Sequence, residues 1–332
     1  MRVARLHGPG DIQLHDEPVP EPYQDETLVH VRAAGVCGSD LHWWTSAGIG
    51  DTRLRAPLVL GHEFAGITDA GDRVAIDPAI TCGMCEMCKR GSPNLCARLS
   101  FAGHGEQDGA FREALAWPSR CLHVLPDALT FEEGAMLEPL GVALHAVDLG
   151  GIRAGAVVGV FGCGPIGLLI AQLARVSGAA TIVATDVLPN RVQAAGAYGV
   201  HHPLLTGGSD VVAQIRAITH GPGLDVAFEA AGEQEAVDAA IATVAPGGTV
   251  VLVGIPANDL TAFRASEARR KELKIQLVRR MKNTYPRAIR LVRSGAVDLR
   301  SLVTDRYPLG AIGEAFSAAQ ARKGLKVLVE PG

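Results

Sequence analysis

Apolar positions follow two different rhythms along the 332-residue chain. Up to about Gly141 the apolar runs are short, cut by Pro and Gly, and spaced like strands, as in Thr27-Leu-Val-His-Val-Arg-Ala33. Beyond it, short apolar runs alternate with longer stretches of helical period. Helices are predicted over Pro165–Ser177, Asn190–Ala197, Val211–Thr219 and Gln234–Thr243. Strands are predicted at Val157–Phe161, Thr181–Thr185, Val226–Ala230, Thr249–Val253 and Leu273–Val278. That alternation predicts an α/β fold with a doubly wound parallel sheet. From Arg279 the pattern reads as an amphipathic helix, and Lys326-Val-Leu-Val-Glu330 as a closing strand.

One join of strand and helix carries chemistry. Val157–Phe161 runs directly into Gly162-Cys-Gly164-Pro165-Ile166-Gly167, and Pro165 falls at the first helical position, where a missing N–H costs nothing. Glycines there let backbone approach a pyrophosphate, and the helix start aims free N–H groups at its charge. Asp186 ends the next strand, nineteen residues past Gly167, where a carboxylate accepts from an adenosine ribose and repels a 2′-phosphate. The reading is a nicotinamide dinucleotide site that prefers NAD to NADP. Val253, Gly254 and Ile255, at the carboxyl end of a later strand, are expected beside the nicotinamide.

Composition then removes alternatives. The chain is long enough for two cores, and with 48% hydrophobic and 20% charged residues it reads as an ordinary folded protein. A net charge of −4 gives nucleic-acid binding no support. Met1–Glu17 lacks the apolar core of a signal peptide, and a cytoplasmic location is expected. Ala154–Ala174 carries no charge and would pass a hydropathy filter, but its glycines and proline serve the nucleotide turn, so no membrane span is assigned.

Four of the seven cysteines, Cys82, Cys85, Cys88 and Cys96, fall within fifteen residues. Four thiolates at that spacing can surround one tetrahedral Zn²⁺ with no open position, which reads as a structural site. A second group is looser. Cys37, in Gly35-Val-Cys-Gly-Ser-Asp-Leu-His42, and His62, in Gly61-His-Glu63, are ligand types for a zinc ion, but by spacing alone they remain equally a buried thiol and a loop histidine.

Together these residues resemble the zinc-dependent medium-chain dehydrogenases, and among them the sorbitol, xylitol and related polyol dehydrogenases. The likeness extends over nearly the whole chain. It takes in Cys37-Gly-Ser-Asp-Leu-His42, Gly61-His-Glu63, the four-cysteine lobe, Glu138-Pro-Leu140, the glycine turn with Asp186, Pro246–Gly254 and Asn283-Thr-Tyr-Pro286. It implies a GroES-like β-barrel catalytic domain over 1–142, an NAD-binding Rossmann domain over 143–278 and a return segment over 279–332. It implies two zinc ions per chain: the structural one, and a catalytic one held by Cys37, His62 and Glu63, with Glu138 approaching directly or through water. Glu63 could instead orient a ligand from outside the inner sphere. No second cysteine stands near Glu138, which favours the polyol branch over dehydrogenases of simple alcohols. The likeness also matches Arg191 to a residue beside the ribose, and Arg280 to one that reaches substrate hydroxyls. Edge strand Leu273–Val278 matches the strand through which relatives pair, so a homodimer or homotetramer is expected.

Three departures stand out. The segment after Gly66 is shorter than in relatives, and Trp43 and Met281 stand where polyol enzymes commonly carry tyrosine. The expected reaction is hydride transfer from a secondary hydroxyl of a polyol or sugar acid to NAD, giving a ketone. Zinc would act as Lewis acid, and the proton would leave through Ser39 and His42 or through Glu138. L-Threonine 3-dehydrogenase and vicinal-diol dehydrogenase are the neighbouring activities. A non-catalytic protein that keeps only the four-cysteine zinc is the reading from outside the enzymes.

Overall fold

The computed structural model describes residues 1–207 and 210–332. The chain divides into two units, Met1–Glu138 with Tyr285–Gly332, and Pro139–Thr284.

The first unit is built on a seven-stranded sheet. Its path runs Leu122–Val124, Arg73–Ile76, Glu63–Thr68, Glu26–Gly35, Lys326–Glu330, Val303–Pro308, with Ala114–Pro118 also paired to Glu26–Gly35. Inward positions on these strands are apolar, and Val29, Val31, Phe64, Leu115, Trp117 and Val329 are all buried in one core. Burying aliphatic and aromatic side chains in this way contributes roughly 1.5–3 kcal/mol each. Trp117 donates its indole N–H to the Asp77 carbonyl at 2.9 Å, so its polar atom is not stranded. After Gly66 the chain turns tightly. Thr68 N–H bonds to the Asp72 carbonyl at 2.9 Å, and Gly71 takes φ 89°, a left-handed conformation that suits glycine. The closing strand Lys326–Glu330 pairs antiparallel with Glu26–Gly35, with Leu328 opposite Gly35.

The second unit holds six parallel strands: Val157–Phe161, Thr181–Asp186, His202–Leu205, Leu224–Glu229, Val244–Leu252 and Lys274–Leu277. Numbered in chain order they lie 3-2-1-4-5-6, the doubly wound order of dinucleotide folds. Between the first and the fourth the order reverses, and a crevice is expected outside their carboxyl ends. The charge-free stretch seen in the sequence resolves into strand Val157–Phe161 and helix Pro165–Val176. Among the described residues no helix is long and apolar enough to cross a membrane.

Two segments differ from the sequence pattern. Strand Val244–Leu252 starts five residues before Thr249, because a register shift between Leu224 and Val226 lets Ala245–Gly248 bulge while pairing resumes at Thr249. The tail helix begins at Tyr285 rather than Arg279. Arg280 has φ 54°, a left-handed backbone that no α-helix admits.

Candidate active site

The four-cysteine lobe is held by very little regular structure, one short helix Glu86–Lys89 and a turn at Pro93–Leu95. Its sulfurs nevertheless converge. Cys82 and Cys88 lie 4.0 Å apart, Cys85 and Cys88 3.5 Å, Cys85 and Cys96 3.8 Å, Cys82 and Cys96 3.5 Å. Four sulfurs at a Zn–S bond length of about 2.3 Å stand about 3.8 Å apart on a tetrahedron's edges. A disulfide would need about 2.05 Å, so these are four free thiols around one point. Backbone N–H groups of Met84 and Cys85 hold the Cys82 thiol down to about 5, while burial and the neighbouring sulfurs push Cys88 up to about 11. Four sulfurs at these separations around one point are the donor set of a tetrahedral zinc, whose binding would displace their remaining protons.

The second group is built on strand ends. Cys37 precedes the helix Gly38–Ser46, and its N–H bonds to Asp40 Oδ2 at 2.9 Å, closing the first turn. Glu63 opens the strand Glu63–Thr68 and pairs with Gly35, and His62 stands immediately before it. That register brings Cys37, His62 and Glu63 together, each with a ligand atom within 4.8 Å of the others. Glu138 is buried as well but lies outside that set.

Asp40 organises the group. Buried at 1% exposure, it faces His62 Nδ1 at 3.4 Å through Oδ1, which also accepts Gly61 N–H at 3.3 Å. A proton on Nδ1 leaves Nε2 as the ligand atom, and Ser39 Oγ lies 3.3 Å from Nε2. Burial alone would lower the affinity of His62 for a proton. Asp40 and Cys37 outweigh it and hold the ring well above its ordinary value. The site thus asks for positive charge.

Glu63 adds to that demand. Its buried Oε2 makes no aligned hydrogen bond, although the Lys326 ammonium lies directly against it. A thiol, an imidazole nitrogen and a carboxylate oxygen gathered within 4.8 Å of one another are the donor set of a zinc site, so the residues fit the metal. Burial works against the Lys326 charge, but Glu63 and Cys37 hold its pKa above the ordinary lysine value. Tyr285, whose OH donates to the Ile76 carbonyl at 2.6 Å, is pushed well up by burial and then by Asp77, Glu138, Cys121 and Glu63.

In the second unit the glycine turn has the geometry its sequence predicts. Gly162 takes φ 109° and its N–H bonds to the Thr185 carbonyl at 2.7 Å. A Cβ on Gly167 would stand 1.8 Å from the Gly162 carbonyl oxygen, so helix Pro165–Val176 meets the turn at backbone contact. Asp186 accepts Cys163 N–H at 2.8 Å and Leu188 N–H at 2.9 Å, one on each oxygen, which ties its carboxylate to the turn. The Arg191 guanidinium lies over Gly164, in ordinary contact at 3.5 Å from where a Cβ would stand. Gly254 packs against Gly232, and Glu229 fixes that junction by accepting Ala231 and Gly232 N–H groups, both at 2.7 Å.

Comparison with known proteins agrees with both units. Residues 23–127 match the family described as alcohol dehydrogenase GroES-like domain, and residues 165–294 match zinc-binding dehydrogenase. The chain is 37% identical to sorbitol dehydrogenase of Bacillus subtilis, over 100% of this chain and 97% of that protein. The protein is a zinc-dependent medium-chain dehydrogenase. Among solved structures, this dehydrogenase superposes on L-idonate 5-dehydrogenase of Escherichia coli with a TM-score of 0.92 at 26% identity, covering 99% and 98% of the two chains. It superposes on 2R,3R-butanediol dehydrogenase of Bacillus subtilis with a TM-score of 0.89 at 31% identity, covering 100% and 99%. The GroES-like and Rossmann-type architecture of the family is the one described above, and its members use a nicotinamide dinucleotide and zinc.

Sequence reading of this dehydrogenase missed three buried charged residues, Lys326, Glu229 and the full role of Asp40. Asp40 stands three residues after Cys37, a capping pattern that could have flagged it. Lys326 and Glu229 sit at strand ends with no local signal. Trp43, which stands where polyol enzymes commonly carry tyrosine, is buried in the first unit's core, with its ring edge-on to His104 at 5.5 Å.

Proposed function

We propose that this dehydrogenase oxidises a secondary hydroxyl of a polyol or sugar acid to a ketone with NAD as hydride acceptor. The observation that carries the reading is the joining of Cys37 and His62 to a carboxylate, Glu63, in a group that holds no second cysteine. The names of its relatives, a sorbitol dehydrogenase and an L-idonate 5-dehydrogenase, support this substrate class.

Cys37, His62 and Glu63 would hold the catalytic zinc, with Glu138 at its edge, and Cys82, Cys85, Cys88 and Cys96 the structural one. Zinc supplies Lewis acidity, which eases loss of the alcohol's proton before hydride leaves. Ser39 Oγ, 3.3 Å from His62 Nε2, stands where it can relay that proton, accepting it as its own hydroxyl proton passes on towards His42. His42 lies three residues on, along the same helix face, and can pass it to water. Glu138, a buried carboxyl group, is the alternative base. Arg280 would bind substrate hydroxyls. Gly162, Gly164, Pro165, Ile166 and Gly167 would hold the pyrophosphate, Asp186 and Arg191 the adenosine ribose, and Val253, Gly254 and Ile255 the nicotinamide. Both oxygens of Asp186 already accept backbone N–H groups, and their remaining lone pairs suit ribose hydroxyls, supporting NAD over NADP.

We further propose a homo-oligomer joined through edge strand Lys274–Leu277, where Leu277 is 73% exposed, and a cytoplasmic location, supported by seven free cysteines. The deciding experiment measures NADH formation with C4–C6 polyols, sugar acids, vicinal diols and L-threonine, using NAD and NADP in parallel. Turnover of polyols or sugar acids with NAD, abolished in a folded Cys37→Ser variant, is expected. Faster turnover of threonine, or full activity in Cys37→Ser, would overturn the proposal.

A further inference from the structure

The sheet of the first unit buries a lysine against a metal-ligand carboxylate. Gly35 pairs with Glu63 on one side and with Leu328 on the other, and Val36 N–H bonds to the Val327 carbonyl at 3.0 Å. This register sets Lys326 beside Cys37 and directly across from Glu63. Only a glycine between them permits the meeting. A Cβ at Gly35 would stand 2.0 Å from Glu63 Oε2 and 3.0 Å from Lys326 Cε. The two side chains are 4% and 1% exposed.

We infer that Lys326 is a positioning residue for the active-site metal, an internal cation that shares the Glu63 carboxylate with zinc and so limits how strongly that carboxylate binds it. The argument is one of charge and of geometry. A buried ion pair is poor value for stability, since desolvation consumes much of the attraction, so a pair kept at a ligand calls for a different account. With zinc bound, Cys37 and Glu63 together would cancel the metal's two charges, and Lys326 restores one positive charge beside them. The ammonium lies directly against Oε2, so the negative charge of the carboxylate is divided between Lys326 and the metal. Lys326 thereby keeps the ligand set from quenching the metal's pull on a substrate hydroxyl.

This inference rests on the zinc reading of Cys37, His62 and Glu63, and the test separates the two. Zinc content, competition with a chromophoric chelator and thermal melting with and without zinc are measured for the wild type and for Lys326→Met, Lys326→Arg and Glu63→Gln. In Lys326→Met the carboxylate loses its other cation. Zinc should bind about tenfold more tightly, on the scale of outer-shell effects, and should raise the melting temperature by more than in the wild type. Lys326→Arg should behave as wild type, and in a Glu63→Gln background Lys326→Met should change nothing. Cobalt(II) in place of zinc should show a changed visible spectrum in Lys326→Met alone. Equal or weaker zinc binding by folded Lys326→Met, or an effect that survives Glu63→Gln, overturns the inference. If Lys326→Met does not fold, Lys326→Gln, which keeps a hydrogen-bond donor without charge, is read by the same criteria. Only one zinc per chain in the wild type, and the same zinc content in Cys37→Ser, would instead refute the zinc reading itself.

Discussion

Replacing Gly167 with alanine tests whether the glycine turn holds the cofactor. An added Cβ would stand 1.8 Å from the Gly162 carbonyl oxygen, against a floor of 3.0 Å for real contacts, leaving 1.2 Å to be made up. The obstacle is backbone, so no side chain can swing aside. Either helix Pro165–Val176 lifts from the sheet or the turn at Gly162 moves, and both carry the N–H groups proposed to face the pyrophosphate. Displacements of about 1 Å at a binding site cost up to about a hundredfold. The expected loss of NADH affinity is about ten- to a hundredfold, or about 1.4–2.8 kcal/mol. The control is Gly196→Ala in the same unit. Gly196 has helical φ −59° and ψ −35°, and a Cβ there meets nothing within 4 Å. That variant should bind NADH normally and gain about 0.4–1 kcal/mol of stability. The assay is NADH titration by fluorescence quenching, with circular dichroism to establish folding. A folded Gly167→Ala variant that binds NADH as tightly as wild type would refute the assignment of this turn to the pyrophosphate.

Asp40→Asn should lower zinc retention at the Cys37 site by about 10–100-fold in chelator competition, because His62 loses the carboxylate that fixes its tautomer. Cys96→Ser should remove one zinc per chain and open the lobe between residues 82 and 96 to limited proteolysis, since little else holds it. Acid should weaken the first unit through its paired carboxylates. Hydrogen bonds from Arg5 and Arg306 hold Glu17 and Glu132 below the ordinary carboxylate value. Their contribution is in place above the unfolded-state value of about 4.3 and is lost as pH falls through the lower folded values. Arg5→Met should therefore flatten the fall in urea midpoint between pH 6 and pH 3.5.

The parts legible in the sequence are those where one local rule decides the outcome. Gln234–Thr243 is helical over the residues its period predicts, and Val157–Phe161 is a strand over the residues of its apolar run. Gly162 and Gly167 announce the turn because backbone must touch backbone there. Four cysteines within fifteen residues announce a metal lobe because nothing else in a chain of this kind would gather them. Strand His202–Leu205 was passed over. It is short, carries a proline and a histidine, and pairs only along one side at the sheet's edge, where composition imposes little.

The Cys37 site was legible only as a list of ligands, and the reason is topological. Lys326 lies 263 positions after Glu63 in the chain, and nothing in Leu325-Lys-Val-Leu marks it as buried. It becomes a neighbour because the closing strand pairs with Glu26–Gly35, whose other edge carries Glu63. A one-residue slip of that pairing would turn the ammonium to the opposite face and leave the carboxylate alone in the core. An uncompensated buried charge is costly, so the pairing of opposite ends of the chain and the charge of the metal site select one another. On this view Gly35 is as much a part of the site as the ligands themselves. Gly35→Ala should disturb zinc binding while altering none of the donors, because its methyl would occupy the place of Glu63 Oε2. Normal zinc affinity in a folded Gly35→Ala variant would mean that the register and the metal site are independent after all.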